Sequence, residues 1–164
     1  MDVLTISLGR NTLKHGSRER ERMHLYAQYL NAFHVVVLTR KEHGFESVVH
    51  ENNLHLYPTN SRSRIMMLWD AYVIGRRIAK QKRTESLVIS AQDPLEMGWL
   101  CWFLSWIENT KLHIQVHGDY FNGEAWVGGS LARRLRRRAA LVLLRRTPRI
   151  RVVSERIRKS LIQK

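Results

Sequence analysis

Three consecutive valines, Val35, Val36 and Val37, stand in the middle of the apolar run 33–38, and no other feature of this chain constrains its fold as tightly. A strand with one wet face alternates apolar and polar residues, whereas an uninterrupted apolar run needs apolar neighbours on both faces. Such a strand belongs inside a mainly parallel sheet covered by helices above and below. The flanking segments supply the other parts. Residues 3–8 read as a first strand, followed by a polar loop at 9–17 and a helix in which Met23, Tyr26, Ala27 and Leu30 recur at i, i+3, i+4 and i+7. Residues 48–57 form an extended segment, broken by the turn formers Asn52 and Asn53 and stopped at Pro58.

A long helix is expected next, with Ile65, Leu68, Trp69, Tyr72, Gly75 and Ala79 on one face and most of the neighbouring arginines and lysines elsewhere. Residues 87–90 make a short apolar strand, after which Asp93 is the expected N-cap and Pro94 the first residue of another helix. In that helix Trp99, Trp102 and Trp106 fall at i, i+3 and i+7, a spacing that points to the core. Residues 112–116 are a strand running into His117-Gly118-Asp119, and a glycine-rich loop at 120–129 leads to a very basic helix at 130–146. A strand at 150–153, a cap at Ser154 and a helix at 155–162 follow.

Strands alternating with helices predict an α/β fold: a Rossmann-like, mainly parallel sheet with helices on both faces, forming one domain over residues 1–164. Ligands bind such sheets outside the carboxyl ends of the strands. Three polar segments leave strands in that direction, 9–17, Gln92-Asp93 and 117–119, and they are expected to converge on one rim.

With 44% hydrophobic residues in 164, the chain has enough apolar side chains for a core of its own. Cys101 is its single cysteine, which excludes an internal disulfide and a paired-thiolate zinc site. The N-terminus carries no signal-peptide pattern, and the longest apolar run, 97–107, falls well short of the roughly 20 residues that span a bilayer. A cytoplasmic location is expected, with peripheral contact at the inner face of the cell membrane as an extension of it. The charge of +14, from 28 Lys and Arg against 14 Asp and Glu, favours polyanionic partners: nucleic acid, anionic lipid or phosphorylated substrates.

Several familiar sites are missing from the sequence. It holds no G-x-x-x-x-G-K phosphate loop, no G-x-G-x-x-G fingerprint, no G-x-S-x-G elbow and no H-E-x-x-H pair. Asp2, Asp70, Asp93 and Asp119 form no D-x-D pair, which disfavours a metal-nucleotide site. What remains has a recognisable order: residues 16–23 reading GSRERERM, 90–94 reading SAQDP, 115–119 reading QVHGD and 151–157 reading RVVSERI.

Taken together these segments resemble the N-terminal domain of glycosyltransferase family 4, over nearly the whole chain. The resemblance implies half of a two-domain GT-B enzyme that transfers a sugar from a nucleotide-sugar with retention at the anomeric carbon, using no metal and no cofactor beyond the nucleotide-sugar substrate. It implies that His117, which follows the fourth or fifth parallel strand, faces the donor sugar in the cleft between domains. A site of this kind works by positioning and by stabilising the departing diphosphate. Gly118 and Asp119 would shape this loop or meet an acceptor hydroxyl, and Gln92 and Asp93 would line the acceptor side. For Asp93 a plain N-cap before Pro94 is the competing account. Arg18 and Arg22 open the first helix, where they would meet phosphate groups or else form a solvated turn with Glu19 and Glu21. Many relatives carry a glycine pair after the first strand where this chain has Gly9-Arg10-Asn11.

The partners implied are a donor-binding C-terminal domain, not contained in these residues, and a glycan or lipid-linked acceptor in cell-surface polysaccharide or glycolipid synthesis. By itself the chain is then expected to be inactive, as a fragment or one subunit of a split enzyme. The basic helix at 130–146 interleaves arginines with leucines, a pattern that suits an anionic membrane surface as well as ordinary packing on a sheet. The alternative to a transferase is a basic nucleic-acid- or membrane-binding module without catalysis. Nucleic acid is the weaker partner, because no aromatics are interleaved with these arginines as base-stacking platforms.

Overall fold

The structure, a computed structural model, describes residues 1–46, 48–82, 86–118, 120 and 130–163. It is an α/β fold of the Rossmann-like kind. The strands are β1 (Asp2–Ser7), β2 (Ala32–Val37), β3 (Val49–Glu51), β4 (Leu54–Pro58), β5 (Leu87–Ala91), β6 (Lys111–Val116) and β7 (Ile150–Val152). The helices are α1 (Arg18–Ala27), α2 (Arg64–Gln81), α3 (Glu96–Ile107), α4 (Leu131–Arg146) and α5 (Glu155–Ile162).

All strands join one sheet in the order β3-β4-β2-β1-β5-β6-β7, parallel except for the β3-β4 pair. That pair is the segment expected to break at Asn52 and Asn53. Asn52 takes φ 51°, a left-handed conformation that asparagine tolerates better than most residues, and the chain turns back on itself there. β2 is buried along its whole length, as the valine run requires, with Val35, Val36 and Val37 at most 1% exposed.

Helices cover both faces, unequally. On one face α1 packs Met23 and Ala27 over Phe33, Val35, Val37, Leu54 and Leu56. On the other, α2, α3, α4 and α5 bury Leu4, Ile6, Ile89, Ala91, Ile114 and Val116. Among the described residues no helix on the α1 side packs over much of β1, β5, β6 and β7, and β6 alternates accordingly. β6 turns Leu112, Ile114 and Val116 into the core and His113 and Gln115 outward.

The structure corrects three local expectations. The helix after Asp93-Pro94 starts at Glu96, not Pro94, and its N-cap position is Leu95. Asp93 Oδ1 accepts the Leu95 N–H at 2.8 Å, so the carboxylate closes a turn ahead of the helix. In α2 the core-facing stripe is Ala71, Gly75, Ile78 and Ala79, while Ile65 is 86% and Trp69 63% exposed. Small residues won because α2 lies close to its neighbours: a Cβ on Gly75 would come within 3.0 Å of Leu104 Cδ1. In α3 the buried residues are Met97, Gly98, Cys101, Leu104 and Ser105; Trp99 and Trp102 pack partly buried against the core as expected, whereas Trp106 turns outward, 68% exposed.

Candidate functional site

From β1 the chain runs outward to β2 and β4, then crosses to β5 on the other side of β1 and continues to β6 and β7. The topological switch point is therefore the gap between the carboxyl ends of β1 and β5. Side chains bridge it: Ser7 Oγ donates to Gln92 Oε1 at 2.9 Å and accepts the Gly9 N–H at 3.0 Å. A cleft of about 520 Å³ opens at this gap and extends over the sheet face that carries Val3, Thr5, Ser90 and Gln115.

Of the residues singled out in the sequence, Arg22, Gln92, Asp93 and His117 line this cleft. The three polar segments thus meet on one rim, with Gly9 representing the first loop. Gly118 adjoins, and a Cβ there would sit 3.1 Å from the Tyr120 ring, itself part of the lining. Arg18 is exposed on the first turn of α1 and is not a lining residue. Asp119 lies outside the described residues. The arginine that α1 does bury is Arg20, 3% exposed, which grips Glu51 with two hydrogen bonds of 3.0 and 2.5 Å and donates to the Leu13 carbonyl at 3.1 Å. That grip fixes α1, and with it Arg22, against the β3-β4 edge.

The floor of the cleft is a chain of polar contacts across the strands. His117 Nε2 lies 3.0 Å from Gln115 Oε1, Gln115 Nε2 donates to Ser90 Oγ at 3.5 Å, and Ser90 Oγ shares a 3.0 Å hydrogen bond with His113 Nδ1. Thr5 Oγ1 donates to the Ser90 carbonyl at 3.0 Å. The amide oxygen of Gln115 selects the His117 tautomer with its proton on Nε2, which leaves Nδ1 as an acceptor.

Burial, then the cations of Arg151 and Arg22, hold His117 below the ordinary histidine value, against a smaller opposing pull from Asp93. His113 is lowered for the same kind of reason, by burial and by Arg151 and Arg149. Burial raises the Asp93 carboxyl, while the Leu95 N–H works in the other direction. The cleft therefore joins two guanidinium groups, one imidazole, one carboxyl and several amide and hydroxyl groups, a set able to hydrogen-bond polar and charged groups.

A second hollow of about 420 Å³ adjoins on the β2 side, lined in part by Arg10, Arg40, His43 and Arg64. Arg40 pairs with Glu42 and donates its N–H to His43 Nδ1 at 2.9 Å, and Arg10 contacts His43 Nε2. Among the described residues no group of three or more His, Cys, Asp or Glu side chains is arranged to hold a metal ion.

Sequence reasoning missed Thr5, Ser90, Gln115, Tyr26 and Arg151 in the main cleft. The signal for three of them was present. Period-two alternation in 3–7, 87–91 and 111–116 puts Thr5, Ser90 and Gln115 on one face, opposite the apolar positions. Among the described residues no helix is long and apolar enough to cross a membrane. Comparison of the chain with protein-family models gives no match, and comparison with curated proteins gives none either.

Proposed function

We propose that this chain is the acceptor-side half of a retaining, metal-independent glycosyltransferase that acts on a glycan or lipid-linked acceptor. The observation that carries the reading is the meeting of Arg22, Gln92, Asp93 and His117 in one cleft at the switch point of a doubly wound sheet. The segments that contain them are those on which the family resemblance rests.

In transfer of this class, the bond from the anomeric carbon to the donor's phosphate oxygen breaks, and a bond to the acceptor oxygen forms. The nucleoside diphosphate leaves with the electron pair of the broken bond, and the proton of the acceptor hydroxyl passes to the departing phosphate oxygen. Neutral His117 would accept a hydroxyl of the transferred sugar at Nδ1, held in orientation by Gln115. Gln92, tied to Ser7, would face the acceptor. Arg22 and Arg151 would offset negative charge carried by the acceptor or developing on the leaving group. The nucleotide-sugar itself would be held largely by a donor-binding domain.

The test is sugar transfer from a panel of labelled nucleotide-sugars to oligosaccharide and lipid acceptors, by the full gene product with His117 or with His117→Ala. A loss of about a hundredfold or more, with an unchanged melting temperature, is the expected result for a residue that positions the reacting sugar. Transfer at the same rate in the variant, or no transfer from any donor by the unaltered protein, refutes the assignment.

A further inference from the structure

Six aromatic rings cross the outer surface of α2 and α3 in one unbroken row. Starting at Trp69 and Tyr72 of α2 and continuing through Phe103, Trp106, Trp102 and Trp99 of α3, successive ring centroids are 5.6, 5.8, 6.2, 6.3 and 5.5 Å apart. The row lies on the side of the sheet away from α1, and of its members only Tyr72, Trp99 and Trp102 pack against the core as partly buried residues. Trp69, Phe103 and Trp106 are exposed. Contiguous exposed apolar side chains mark surfaces used in association.

The row continues into α4. A hollow of about 550 Å³ beside Trp99 and Trp102 has Ala139 and Arg136 of α4 as its far wall, with Arg136 paired to Glu96 at 2.7 Å. Leu135 and Leu131, one and two turns before Ala139, are both exposed, and so are Arg134, Arg138 and Arg145 on the same helix. Three helices thus present one surface in which tryptophan and leucine side chains are bordered by arginines.

We propose that this α2-α3-α4 surface docks on an anionic lipid bilayer. Charge selects that occupant. A second copy of a chain carrying +14 would bring arginines against arginines, whereas a sheet of lipid phosphates complements them. Ring chemistry agrees, because tryptophan and tyrosine join an apolar body to a polar N–H or O–H and settle at the boundary between headgroups and acyl chains. In this arrangement Trp69, Phe103 and Trp106 enter that boundary and Arg134 and Arg138 reach phosphates. The docking surface is distinct from the polar cleft and stands whether or not sugar transfer is found.

Co-sedimentation with vesicles tests the proposal, using phosphatidylcholine alone and phosphatidylcholine mixed with roughly a quarter of phosphatidylglycerol. The unaltered chain should sediment with the mixed vesicles, keep part of that binding at about 0.5 M salt where surface charge is screened, and have its tryptophan emission quenched by lipids brominated near the headgroup. The double variant Trp69→Ser/Trp106→Ser, at two solvent-exposed positions, should bind at least about tenfold more weakly, which corresponds to 1.4 kcal/mol. Arg134→Gln/Arg138→Gln should weaken binding to the mixed vesicles alone. Binding that the tryptophan pair leaves unchanged, absence of quenching in the unaltered chain, or equal binding to both vesicle types overturns the proposal. A dimer in vesicle-free solution that the tryptophan variant dissociates overturns it in favour of a second copy. The quenching measurement needs no variant, so the result does not depend on how the variants fold.

Discussion

Mild acid is expected to loosen this fold through one buried histidine. His34 of β2, His55 of β4 and His50 of β3 stand side by side across three strands, since His34 is in register with His55 and His55 with His50. The His34 and His55 rings stack with centroids 5.0 Å apart, and His50 Nδ1 lies 2.8 Å from His55 Nδ1. His34 is 6% exposed, and its burial, then the neighbouring His55, push its pKa from 6.5 to about 4; Lys82 and His50 add to this and Asp2 opposes it. An unfolded chain takes up a proton at this residue as pH falls through 6.5, while the folded chain does so only near 4. The stability that His34 supports is therefore complete above pH 6.5 and is lost between 6.5 and 4. At 1.36 kcal/mol per pH unit the loss is roughly 2 kcal/mol by pH 5 and about 3 kcal/mol by pH 4. Urea unfolding at pH 7, 6 and 5 reads this directly, in a window where exposed carboxylates stay mostly ionised. His34→Leu should remove the share of the pH dependence that His34 carries while keeping the site apolar, and leave the smaller shares of His55, His113 and His117, whose values are also lowered by burial. Parallel loss of stability in the variant and the unaltered chain would refute the reasoning.

Three further outcomes follow from contacts around the cleft. Gly98→Ala would put a Cβ 2.7 Å from Leu143 Cδ2 and 2.8 Å from the Asp93 carbonyl, and the carbonyl is backbone that cannot swing away. A cost of about 1–3 kcal/mol is expected in thermal unfolding, with the Asp93 turn displaced. Arg20→Met removes both hydrogen bonds to Glu51 and one to Leu13; because Glu51 stays partly open to water, about 2–3 kcal/mol is expected in urea unfolding, and a change within error would mean that α1 is held by its apolar face alone. In a proton NMR titration His117 should titrate below the ordinary histidine value of 6.5, and Arg151→Gln should bring it part of the way back, because burial remains. An unmoved titration would remove Arg151 from the electrostatics of the cleft.

Much of the architecture was legible before any coordinates. Consecutive valines in β2, the capping serine at 154, and the asparagine pair between β3 and β4 each act over a few residues, and each has the role that local chemistry gives it. The rim was legible too, because a parallel sheet sends every strand's exit loop to the same end, which brought Arg22, Gln92, Asp93 and His117 into one cleft.

Helix orientation was not legible in the same way. In α2 and α3 apolar residues occupy more than one face, so spacing alone admits several choices of buried stripe. Close packing decided among them: a Cβ at Gly98 would meet the Asp93 carbonyl at 2.8 Å and one at Gly75 would crowd Leu104 at 3.0 Å, which turns small side chains inward and leaves Trp69 and Trp106 outside. Arg20 against Arg22 is a second case, since two arginines on one helical turn differ only in which meets Glu51, 31 residues away in the chain. The sequence by itself determined a doubly wound sheet, its rim and the residue types gathered there, because those follow from short-range periodicity and chain direction. Only the tertiary structure decided which face of each helix is buried, which arginine is structural and where the aromatic surface lies, because those depend on contacts between distant segments competing for the same space.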